Sequence, residues 1–152
     1  MPDVAGPTHE YLGALPGCWE TYCRVLARDY SERYDLAAHR FCVNAYAVQH
    51  PGHPERRTIQ SVAVHLIRLW TIFERGTPPE RAAGAIRHAL TRAERYHWLE
   101  PPATMGPVTV RDLADVRDVA WYKDRARAWG EGAWEAWAAH HETIRRWGEG
   151  RE

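Results

Sequence analysis

Apolar side chains recur along this chain at intervals of three and four, and the strict alternation of a half-buried strand is nearly absent. Trp19, Tyr22, Cys23, Leu26 and Tyr30 form one such stripe after Leu15-Pro16-Gly17, which predicts a first helix from residue 18 to about 31. A second helix-compatible run covers 36–50 and is stopped by Pro51-Gly52, a proline that cannot continue the helix followed by a glycine for the turn. Residues 51–57, PGHPERR, read as a basic loop, and Thr58 stands where an N-cap would precede a third helix over about 59–74. Ile59, Val62, Ala63, Leu66, Leu69, Trp70 and Phe73 share one face of it, while Val64, Ile67 and Ile72 lie elsewhere around the cylinder. A helix apolar on several sides belongs at the centre, so this one is expected to be the most buried, with His65 largely inaccessible.

Gly76 ends that run, and Thr77 followed by Pro78 and Pro79 predicts a fourth helix reaching about residue 96. Three prolines and a glycine make 100–108 a rigid loop. Thr109 to Asp112 resembles a capping box with aspartate in the glutamate position, which predicts a long helix from Val110. Gly130 and Gly132 each cost about 1 kcal/mol relative to alanine inside a helix, so a kink or break is expected there. A last helix from about residue 133 would align Trp137, His140, Ile144 and Trp147 on one face. The expectation is an all-α fold: residues 1–152 as one domain, a bundle of five or six helices.

Composition narrows the function. The 152 residues carry 20 Lys plus Arg and 20 Asp plus Glu, a net charge of zero that argues against nucleic acid or an anionic membrane as partner. No apolar run approaches the roughly 18 residues of a membrane span, and the first eight residues lack the basic flank and apolar stretch of a signal peptide, so a cytoplasmic protein is expected. Three cysteines form no paired framework, and no disulfide is expected. Eight Trp, seven Tyr and nine His stand against two Phe, rings with polar handles that suit a core bordering a polar cavity. There is no GxSxG motif, Ser31 and Ser61 fall in helical context, and no glycine-rich phosphate loop is present.

Candidate chemistry gathers on four elements. In the second helix Phe41, Ala45 and Val48 form a packing stripe, whereas His39, Cys42, Val43, Tyr46, Gln49 and His50 share another side, a face that is useful only if sheltered. His65 lies one turn from Ser61 on the third helix, and a buried imidazole needs partners for both nitrogens, supplied either by a metal and an acceptor or by plain hydrogen bonds. On the last helix His140 falls in the aromatic stripe and His141 toward its flank near Trp134, either as ligands or as imidazoles stacked on indoles. Cys18 opens the first helix, where the dipole and free N–H groups favour a thiolate, as ligand or nucleophile.

The segments at 6–19 (GPTHEYLGALPGCW), 43–52 (VNAYAVQHPG), 59–69 (IQSVAVHLIRL), 98–102 (WLEPP), 108–110 (VTV) and 134–141 (WEAWAAHH) resemble a small bacterial family classed only as a domain of unknown function. Many of its members carry aspartate at the place of Asn44, serine at that of Leu15, and a cysteine pair before the GPTH segment that this chain lacks. The resemblance implies a shared architecture and puts the motifs on His9, Cys18, His50, His65 and the His140–His141 pair, without supplying a mechanism.

Three functions follow as expectations. In the first, His50, His65 and His140, with Cys18 as fourth ligand, hold a zinc-type ion that activates water toward a small-molecule substrate oriented by Tyr46, Gln49 and His141. A second is a non-catalytic module whose Trp-rich last helix and PGHPERR loop meet a protein or apolar ligand. A third is a thiol enzyme using Cys18, with fast alkylation of that cysteine near neutral pH.

Overall fold

The computed structural model describes residues 5–31, 35–84, 91, 93–115 and 117–151. Among the described residues there are five α-helices: α1 (Pro16–Tyr30), α2 (Leu36–Gln49), α3 (Arg56–Phe73), α4 (Val119–Ala136) and α5 (His141–Glu149). Among the described residues there is no strand, only an isolated bridge between Leu12 and Pro51. No described helix is long and apolar enough to cross a membrane. The three cysteines are free.

The central helix is α2, not α3. Nine of the fourteen residues of α2 are buried, against ten of eighteen in α3, and α2 packs on both α4 and α3 while α3 also carries α5. The reason lies in its two faces: the packing stripe Phe41, Ala45 and Val48 and the polar face His39, Cys42 and Tyr46 are all buried. A helix whose polar side chains find partners inside needs no wet side. His65 keeps some exposed surface.

Several boundaries differ from the sequence pattern. Thr58 is no cap: α3 starts two residues earlier, and the Thr58 hydroxyl donates to the Tyr11 carbonyl at 3.2 Å, tying the arm before α1 to α3. Of the predicted fourth helix, residues 77–81 are loop and turn, Ala82–Gly84 and Ala93–Arg95 are single 3-10 turns, and 85–90 and 92 lie outside the described residues. The Thr109 signal is real, since the Thr109 N–H donates to Asp112 Oδ2 at 2.8 Å, yet it supports only the 3-10 turn Val110–Leu113. The long helix begins instead behind Asp118, whose carboxylate accepts from the Trp121 N–H at 2.8 Å.

Neither Gly130 nor Gly132 breaks α4. Each is a place of close approach: a Cβ on Gly130 would lie 2.7 Å from Phe41 Cδ1, and one on Gly132 would lie 3.1 Å from Pro107 Cδ. The chain turns later, at Trp137 and the 3-10 turn Ala138–His140. Trp129, Trp134 and Trp137 are all at most 2% exposed and belong to the core, while Trp147 is only partly buried.

Candidate thiol site

Pro16 occupies the first turn of α1, where its missing N–H costs nothing, and Cys18 follows within that turn. At the other side of the site Pro51 ends α2, leaving His50 as its C-cap. The segment before α1 closes over this end: the Gly13 N–H donates to the His50 carbonyl at 3.0 Å. These constraints bring Cys18 Sγ to 3.1 Å from His50 Nε2.

The hydrogen bonds fix the protonation pattern. His50 Nδ1–H donates to the Tyr46 carbonyl at 2.9 Å, so Nε2 carries the lone pair and accepts from the Cys18 thiol. Tyr46, fully buried, lays its hydroxyl 3.7 Å from the same sulfur as a donor and stacks on Tyr22 with ring centroids 3.7 Å apart. Burial raises the thiol pKa above its ordinary value, against the pull of the Tyr46 hydroxyl. Burial also lowers that of His50, partly offset by its bond to the Tyr46 carbonyl. Both shifts favour the neutral pair at rest, S–H facing N. Fast alkylation of Cys18 at neutral pH is therefore not the expected signature.

A cavity of about 220 Å³ opens on this pair, walled by Gln49, Met105, Thr109, Val110 and Arg111. The Gln49 side chain is engaged within the protein. Its amide N–H groups donate to the carbonyls of Met105 (2.6 Å) and Val108 (2.8 Å), and its carbonyl accepts from Trp129 Nε1 at 2.7 Å. It thereby holds the 100–108 loop as the wall of the cavity.

The other sequence-selected residues are elsewhere. His65 Nδ1–H donates to Asn44 Oδ1 at 2.8 Å. His140, half-buried past the turn at Trp137, bonds the Glu100 carbonyl at 2.8 Å. His141 stacks flat on Trp134 with centroids 3.7 Å apart and bonds the Trp134 carbonyl, the imidazole-on-indole alternative. Among the described residues no three of His, Cys, Asp and Glu are grouped to hold an ion.

A second polar cluster went unread in the sequence. Asp29, 2% exposed, accepts from the Tyr122 hydroxyl and lies 3.4 Å from His39 Nδ1, and the Tyr122 hydroxyl is 3.5 Å from Cys42 Sγ. Burial is the chief cause that pushes the Cys42 thiol up to about 12, which favours its neutral form. The sequence marked the cluster's His39 and Cys42 as part of the polar face of the second helix, but marked neither Asp29, near the α1 stripe at Leu26 and Tyr30, nor Tyr122.

Residues 5–138 match the family described as "Family of unknown function (DUF5946)", and the chain belongs to that family. No curated protein and no solved structure matches it.

Proposed function

We propose that the chain is a thiol-dependent enzyme in which Cys18 is the nucleophile and His50 its base, acting on a small electrophile such as an ester or thioester. The observation that carries this reading is the 3.1 Å contact of Cys18 Sγ with a His50 whose other nitrogen is fixed by the Tyr46 carbonyl, at the wall of a cavity. As the sulfur attacks the carbonyl carbon, its proton passes to His50 Nε2, and the imidazolium keeps both N–H groups bonded. The leaving alcohol or thiol then takes that proton, and water releases the acyl group from sulfur with His50 again as base. The Tyr46 hydroxyl and the start of α1 stabilise the sulfur while it bears charge. About 220 Å³ admits only a small group, and Arg111 at the rim offers a cation to an anionic substituent.

The zinc-type centre fits this arrangement less well. An ion held tetrahedrally by both atoms would keep sulfur and nitrogen about 3.5 Å apart, and His65 and His140 would have to leave their own partners to join them.

The test is acylation by p-nitrophenyl acetate, followed by mass spectrometry of peptides, beside elemental analysis of the untagged protein. Acetyl at Cys18, slowed by His50→Asn and absent in Cys18→Ser, is the expected result. A Cys18 that acylates no faster than the exposed Cys23, with or without His50, removes the reading. A stoichiometric metal lost in His65→Ala would instead favour the zinc centre.

A further inference from the structure

Where α2 and α3 pack together, donors outnumber acceptors. Arg40 and Asn44 lie one turn apart on α2, and His65 and Arg68 less than a turn apart on α3. Because His65 Nδ1–H uses the Asn44 carbonyl, the Asn44 Nδ2 group is left buried without an acceptor. Arg40 Nε and Arg68 Nε are buried and unpartnered in the same way. Asn44 as a whole is 1% exposed.

Charge repeats the pattern. Neither guanidinium forms an ion pair among the described residues, and burial together with the nearby Arg40 brings Arg68 down to about 10. Arg68 Nη1 stands 3.4 Å from His65, which stays neutral because burial and that same arginine hold its pKa far below the usual range. Two cations and a carboxamide donor, gathered without a carboxylate, form a costly arrangement, because each orphaned buried donor has given up its bond to water for nothing. An anion at this point removes the whole cost at once.

We propose that Arg40, Asn44 and Arg68 form a binding site for a phosphate-type oxyanion, either the free ion or the phosphoryl group of a small ester. Guanidinium forks match pairs of phosphate oxygens, and two of them balance a dianion where a carboxylate would leave one charge uncompensated. The Asn44 amide serves a further oxygen, and His65 is a positioning residue that turns that amide by holding its carbonyl. On the helix, Arg40 and Asn44 are displaced by roughly 80° or more around the axis from Tyr46 and His50, so this site is separate from the thiol pair and stands whether or not that pair is catalytic.

The experiment is calorimetric titration of the intact chain with sodium phosphate at constant ionic strength, with sodium chloride as control, on wild type, Arg40→Met and Arg68→Met. Saturable phosphate binding in wild type, weakened about tenfold or more in each variant, is expected. In phosphate-free buffer the variants should melt no lower than wild type, because each removes a buried like charge and an orphaned donor. Glycerol phosphate as a parallel ligand assigns the source: tighter than inorganic phosphate marks an ester, weaker marks the free ion. No saturable phosphate response in wild type, or the same response in both folded variants, overturns the site. Should one variant fail to fold, the other decides.

Discussion

Replacing Gln49 with methionine keeps the length and apolar bulk of the side chain while deleting all three of its hydrogen bonds. The indole N–H of Trp129, a residue with no exposed surface, then loses its acceptor at 2.7 Å, at a cost of about 1–3 kcal/mol. The Met105 and Val108 carbonyls lose donors at 2.6 and 2.8 Å, but they sit on a loop that can reach water, so each costs nearer the net value of one hydrogen bond, about 1 kcal/mol. The sum is about 3–5 kcal/mol, which for a domain of this size lowers the melting temperature by about 6–20 °C. Thermal unfolding followed by far-ultraviolet circular dichroism measures it. Trp129 emission should change in the folded variant, and Cys18 should alkylate faster because the loop that walls its cavity is released. A variant within about 1 kcal/mol of wild type, with unchanged Cys18 reactivity, would show that the amide merely fills space.

Acid should destabilise the protein from just below neutrality. His65 and His50 are both held below the ordinary histidine range in the fold, whereas the unfolded chain takes protons near 6.5, so the stability they confer is full above that pH and is lost as pH falls. For His65 this is about 2 kcal/mol between pH 7 and 5, and urea midpoints in that window should flatten in His65→Gln; an unaltered slope contradicts the burial of the ring. Gly130→Ala should destabilise by about 1 kcal/mol, the clash with Phe41 outweighing the gain in helix propensity, and a raised urea midpoint would refute the close-packing role. Of the two thiols outside the Cys18–His50 pair, the exposed Cys23 should alkylate well before the buried Cys42, which peptide mass spectrometry under native conditions reads directly.

The helices with long uninterrupted stripes, α1 to α3, were legible because the three-to-four spacing survives whatever they pack against. The rest failed for local reasons. A capping pattern such as Thr109 with Asp112 marks where a turn starts and says nothing of its length, so one 3-10 turn read as a long helix. Gly130 and Gly132 read as breaks because propensity reports the isolated helix, while their use here depends on Phe41 and Pro107, distant in sequence. His140 appeared to continue the Trp137 stripe, but the 3-10 turn after Trp137 changes the angle per residue and turns the ring toward the Glu100 carbonyl. Cys18 and His50 were each selected for sound reasons, a helix start and a polar helix face. Their meeting depends on the Gly13 crossing over the end of α2, which no spacing encodes.

A helix that stops at proline leaves its final carbonyls in need of donors. At the end of α2 the donors come from three regions: the His50 ring for Tyr46, the indole of Trp137 for Val48 at 3.2 Å, and the Gly13 amide for His50 itself. The imidazole is thus held between the arm that precedes α1 and the bend that follows α4. Detaching either would free a carbonyl beside it and loosen the bond that selects its tautomer. If His50 serves as base to Cys18 as proposed, the His50-assisted acylation of Cys18 reports whether these two distant stretches of chain are docked, and it should be lost before the helices themselves begin to melt.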